Sequence, residues 1–122
     1  MASVNLVEKA VKLELDEIVR FQLITHCHLS KLTVSDADIE CLATLGILDE
    51  SELTPFCELI ANRKIFKTTQ TVRNCLSRME KSDMIVKTGP SKNKVIKLNP
   101  DINIQTSGST LLIYKIAYVE PA

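Results

Sequence analysis

Thr68-Thr69-Gln70-Thr71-Val72-Arg73-Asn74-Cys75-Leu76-Ser77-Arg78-Met79-Glu80-Lys81-Ser82-Asp83-Met84-Ile85-Val86-Lys87-Thr88 is the stretch on which the fold turns. Thr68 has a hydroxyl placed to cap a helix. Val72, Cys75, Leu76 and Met79 then follow at i, i+3, i+4 and i+7, the spacing of one buried helical stripe. At roughly 100° per residue the opposite face carries Gln70, Asn74, Ser77 and Lys81, flanked by Arg73 and Arg78. The spacing therefore predicts a helix over 69–82 whose outer face is polar and cationic. After Ser82-Asp83 the period changes. Met84–Thr88 and Lys94–Leu98 are rich in strand formers and enclose Gly89-Pro90-Ser91-Lys92-Asn93, which predicts a hairpin with a polar tip.

Two helices precede this unit. Ser35 with Asp38 three residues on is close to a capping box, and Ile39, Leu42, Ala43 and Gly46 continue at helical spacing. A helix over 36–46 follows, with Gly46 as its left-handed stop. Thr54-Pro55 opens the next, Thr as cap and Pro at the first helical position. Phe56, Leu59 and Ile60 form its apolar face, and it ends near Asn62–Lys64. Upstream, residues 11–15 alternate as a half-buried strand does. Residues 17–30 fit strand and helix periods about equally, and a helix is favoured. Downstream, Asn99-Pro100-Asp101 is a turn. Residues 102–105 and 111–119 suggest a second hairpin around Ser107-Gly108-Ser109.

The chain has 122 residues, 45% apolar, 25% charged and 4% aromatic. That predicts one α+β domain over 1–122, with 36–98 as its core and 1–35 and 99–122 as flanking β and helical segments. No apolar run reaches the roughly 18–20 residues that cross a bilayer. Met1-Ala2-Ser3-Val4-Asn5 lacks the basic start and apolar stretch of a signal peptide, so a soluble intracellular protein without membrane partners is expected. Cys27, Cys41, Cys57 and Cys75 form no CxxC pair, and in a reducing compartment they read as small buried apolar residues. Charge balances at 15 against 15 but is unevenly placed. Residues 1–61 hold four basic and eleven acidic residues, and residues 62–97 hold ten basic and two acidic. One acidic and one basic face follow.

Three helices and then a lysine-tipped hairpin resemble a winged helix-turn-helix. The resemblance covers residues 36–98, about half of the chain. Its most specific stretch, Phe66 to Lys87, is similar to the recognition helix and following strand of winged-helix regulators and replication initiators. The resemblance implies that the helix over 69–82 would lie in a DNA major groove, with the hairpin over 84–98 as the wing. The N-terminal strand and the C-terminal β segment read from the residues exceed what a minimal winged helix needs. A second resemblance rests on Ser35-Asp36-Ala37-Asp38, Thr71-Val72-Arg73-Asn74 and Leu98-Asn99-Pro100. These look like small proteins of tailed phages, the crAss-like gut phages among them, some of which are virion parts. Under it the chain would act in the host cytoplasm or in the virion.

Two functions are weighed. The first is binding of double-stranded DNA in regulation or replication. Its candidate contacts are Thr69, Gln70, Thr71, Arg73, Asn74, Ser77, Arg78, Lys81, Lys92 and Lys94. Arg suits guanine, Asn and Gln suit adenine, and lysines neutralise phosphates. The second is a neck or tail ring component of a tailed phage, where neighbouring virion proteins are the partners. The −7 and +8 halves suit unlike faces of neighbouring copies, and the strong strand Leu111–Val119 needs a partner on its edge. A homo-oligomer is expected in either case.

Enzymatic chemistry is not expected. His26-Cys27-His28 with Cys41 or Cys57 matches no zinc spacing. If 17–30 is a strand the two histidines share a face, and if it is a helix they point apart. Three isolated glycines build no phosphate loop. No paired carboxylates lie among apolar residues, and aromatics are too few for a single-strand stacking platform. No metal or other cofactor is expected.

Overall fold

Caps and apolar stripes define the helices. The computed structural model describes residues 4–90, 93–107 and 110–119. Among the described residues the chain is a mixed α+β fold with four α-helices and two small antiparallel sheets. In order it forms β1 (Val4–Leu13), α1 (Leu15–Leu29), α2 (Asp36–Leu48), β2 (Glu50–Glu52), α3 (Leu53–Asn62) and α4 (Thr69–Lys81). Then come β3 (Ile85–Thr88), β4 (Val95–Leu98), a 3-10 turn at Pro100–Ile102 and β5 (Thr110–Val119). Residues 17–30 are helical, within α1. Ser35 caps α2 in a reciprocal box with Asp38, at 3.1 and 3.0 Å. Thr68 Oγ1 caps α4 by accepting from the Thr71 N–H at 3.2 Å.

Four expectations need correction. Gly46 does not stop α2, which runs on to Leu48, and Asp49 takes the positive φ of 72°. Gly46 instead permits close packing, because a Cβ there would stand 2.8 Å from Leu98 Cδ1. Thr54 does not cap α3. The helix opens at Leu53 after Glu52, and Pro55 still lies in the first turn, where no N–H is missed. The first strand is Val4–Leu13 rather than 11–15, and Leu15 already begins α1.

Residues 102–105 do not pair with β5. Asn99 caps the 3-10 turn, and Asn103 adopts a left-handed φ of 51°. The Gln105 N–H then donates to Gln22 Oε1 at 2.7 Å, and Gln22 Nε2 donates back to the Gln105 carbonyl at 2.9 Å. A helix side chain thus satisfies the backbone that a strand would have used. β5 turns instead to β1, in ten antiparallel pairs from Val4↔Val119 to Leu13↔Thr110. Gly108 and Ser109 lie outside the described residues.

The second sheet has the order β2-β4-β3. β3 and β4 form the expected hairpin, with Ile85↔Leu98 and Thr88↔Val95 in register. β2, which sequence periodicity did not reveal, adds to the other edge of β4. Three residues give too short a pattern to detect. Between the helices and this sheet lies one core, built on Leu23, Leu42, Phe56, Leu76, Met84 and Ile96. All four cysteines are buried free thiols.

Phe56 and Leu76 are closed off from solvent on helices that pack against each other. Truncating either to alanine leaves a cavity. Phe56→Ala and Leu76→Ala should each lower unfolding free energy by about 3 kcal/mol or more, read from urea denaturation with an unchanged slope.

Candidate nucleic-acid interface

α4 turns its stripe of Val72, Cys75, Leu76 and Met79 into the core. Its opposite face is therefore outward, and Thr69, Gln70, Thr71, Asn74, Ser77, Arg78 and Lys81 are all exposed. Arg73 is half-buried. Lys94 is exposed at the turn end of the hairpin, just before β4, and Lys92 lies outside the described residues.

Several of these side chains already have partners. Gln70 Nε2 donates to Asn74 Oδ1 at 3.0 Å, one turn along the helix. The Thr68 and Thr71 hydroxyls bond each other at 2.9 Å. Arg73 Nη2 donates to Thr54 Oγ1 at 3.0 Å. That bond brings the α4 arginine to the start of α3. There Thr54, Pro55, Arg73, Asn93 and Lys94 line a polar notch of about 120 Å³, with Glu52 at its side. Arg73 and Lys94, 21 positions apart in sequence, thus meet at one place. The Leu53 N–H holds the hairpin there by donating to the Lys94 carbonyl at 2.8 Å.

Arg78 is differently engaged. Its Nη2 donates to Asp38 Oδ1 at 3.0 Å and its Nη1 to Asp38 Oδ2 at 3.3 Å. Asp38 is almost fully buried, whereas the Arg78 side chain is 54% exposed. Burial alone would raise the Asp38 pKa. Hydrogen bonds from Arg78, from the Ser35 N–H and from Cys75 outweigh that effect and hold the carboxyl below its ordinary value. Lys87, largely buried, pairs with Glu80 at 3.6 Å.

Among the described residues, the cations of 62–97 therefore do not make one continuous stripe. Arg63 lies elsewhere, in a groove of about 540 Å³ beside Asp16, Arg20 and Glu40. Arg78 and Lys87 are balanced by carboxylates. Among the described residues, the outward side of α4 and the adjoining hairpin carry Arg73, Lys81 and Lys94 together with Gln70, Asn74 and Ser77.

The chain matches no protein-family model, and no curated protein or solved structure shows significant similarity to it.

α1 being helical, His26 and His28 diverge, and His26 Nε2 stands 3.5 Å from Ser30 Oγ. Among the described residues no group of three or more His, Cys, Asp or Glu side chains could hold a metal ion. Burial pushes the Cys27 and Cys57 thiols up, and a hydrogen bond with Cys41 together with burial does the same to Cys75. Protonated thiols are poor nucleophiles. No helix among the described residues is long and apolar enough to cross a membrane.

Thr54 and Asp38 are the participants that sequence reasoning missed. Each lies far along the chain from the arginine it holds, and no local period links them. The Asp38 pair carries a pH signature. A carboxyl whose folded pKa is lowered stabilises the fold above its unfolded value, near 3.8, and loses that contribution as pH falls through the folded value. Asp38→Asn should therefore be less stable than the parent at neutral pH. The gap should narrow between about pH 5 and about pH 2 in paired thermal or urea unfolding.

Proposed function

We propose that residues 36–98 form a winged helix-turn-helix that binds double-stranded DNA, with α4 as the recognition helix and the β3–β4 hairpin as the wing. One observation carries the reading. The order α2, β2, α3, α4, β3, β4, with β4 between the other two strands, leaves the polar face of α4 outward beside Lys94. Asn74 keeps its Nδ2 donors and one Oδ1 lone pair, the groups that adenine presents N7 and N6 to meet. Arg73 uses Nη2 on Thr54 and retains other N–H donors for guanine or a phosphate. Thr69, Thr71 and Ser77 offer hydroxyls to the backbone, and Lys81 and Lys94 offer charge. Arg78 serves mainly as a structural clamp within this scheme. The function is binding rather than catalysis.

A second reading has its own support. Arg78 and Lys87 are already neutralised by carboxylates, which takes two cations beside α4 away from phosphate contact, while β5 exposes a run of apolar side chains. Those features suit an assembly subunit of a tailed-phage virion that uses the same fold for protein contacts. Fold by itself does not choose between a regulator and such a part.

Electrophoretic mobility shift with a salt series separates the two. Under the first reading a duplex is shifted at about 50 mM salt, and affinity falls steeply with added salt. Lys94→Ala and Lys81→Ala should each lower the salt slope by about 1 and weaken all sequences alike. Asn74→Ala should instead flatten the preference among sequences, by about 1–3 kcal/mol at the position it reads. A protein that leaves every duplex unshifted at that salt is not a DNA binder, and the assembly reading then stands.

A further inference from the structure

The β5 strand of the β1–β5 ribbon is largely exposed. The ribbon's strands come from opposite ends of the described chain, and they form a sheet of only two strands. Its main packing contact with the helices is between β5 and α1, and Leu13 anchors its base to the core. Along β5, Leu111, Ile113, Ile116, Tyr118 and Val119 are exposed, Val119 to 65%. Two-stranded ribbons are marginal in water, and a third strand or a covering helix is the usual remedy.

The two edges differ in kind. In sequence β1 holds Glu8, Lys9 and Lys12, residue types that disfavour strand addition. β5 carries one charge in ten residues, Lys115, and that residue stands opposite Glu8 in the ribbon. β5 has no proline and no acidic residue. It is the unprotected edge, and its natural complement is a strand as apolar as itself.

We propose that β5 pairs antiparallel with β5 of a second copy, making a continuous four-stranded sheet β1-β5-β5-β1 across a two-fold axis. The register follows from symmetry, charge and strand length, since the longest overlap of Thr110–Val119 with its copy centres on residue 114 or 115. An axis normal to the sheet keeps each residue on its own face, so only residues of equal parity can oppose each other. Centring on Lys115 would set two ammonium groups against each other. Centring on Tyr114 pairs residues 110–118 with their copies and avoids that clash. Tyr114 then faces Tyr114, Leu112 faces Ile116, and Leu111 faces Ala117. Each Lys115 lies opposite an isoleucine, Ile113, instead of another lysine. The contact is isologous, so it closes at two copies. It is independent of whether α4 binds DNA.

The buried native cysteines make the test clean, since an engineered exposed thiol is then the accessible one. Light scattering on the sized protein should give twice the 13.6 kDa chain mass. Under mild oxidation Tyr114→Cys should form a covalent dimer, because its copy lies directly across the axis. Val119→Cys should not, because its copy lies at the far end of the sheet. Ile113→Lys combined with Ile116→Lys should return the protein to a monomer with an unchanged helical circular dichroism signal. A monomeric parent, a larger ring or open assembly, a dimer that persists in the double-lysine variant, or cross-linking at Val119 but not at Tyr114 would overturn the proposal. Loss of DNA binding alone would leave it standing.

Discussion

The carboxylate of Asp38 is the one buried charge among the described residues, and two helices are set by it. Its Oδ2 accepts from the Ser35 N–H and closes the cap of α2. Both oxygens also accept from Arg78, which fixes α4 against the start of α2. A carboxylate taken out of water without such partners would be strongly unfavourable and would protonate instead. Here every partner is present, so the ion persists and the two helices share one constraint. The rotation of α4 then has two determinants, an apolar stripe on one side and an arginine clamp on its flank. Together they decide that Gln70, Asn74 and Ser77 face solvent. Breaking a half-exposed pair costs less than breaking a fully buried one, since water reaches Arg78 but scarcely reaches Asp38.

Around this centre the chain uses side chains to finish what strands and helices leave open. Gln22 takes both backbone groups of Gln105 and lays the segment after the 3-10 turn along α1. Asn99 Nδ2 donates to the Asp83 carbonyl at 2.9 Å and ties the end of the hairpin to the turn after α4. Gly46 lets Leu98 approach α2 more closely than any side chain would allow. Each of these contacts joins residues remote in sequence. They hold α4 and the hairpin in a common frame, which any shared surface between them requires.

Much of the helical architecture was legible beforehand. Ser35 and Thr68 signalled their caps by residue type, and the stripe from Val72 to Met79 signalled which side of α4 is buried. The β3–β4 hairpin was visible because two β-rich runs flank a Gly-Pro tip. The first helix was ambiguous, since its apolar residues satisfy both periods. β2 was invisible, because it exists only where β4 offers an edge. The candidate surface was legible in part. Which residues face outward could be read from spacing. Which of them are already engaged could not, because Arg78 with Asp38 and Arg73 with Thr54 are long-range partnerships.

By itself the sequence determined where α2 and α4 begin, which face α4 buries and how charge divides along the chain. These are local matters, decided within one or two turns by caps, side-chain volume and hydrophobic period. Only the tertiary structure decided that β5 turns to β1 rather than to its neighbour in the chain. Only it decided that Arg78 answers a buried carboxylate and that Arg73 meets Lys94. A strand's period specifies its faces but leaves its edges without an address, and a guanidinium carries no record of its partner. Proximity in the folded molecule supplies both.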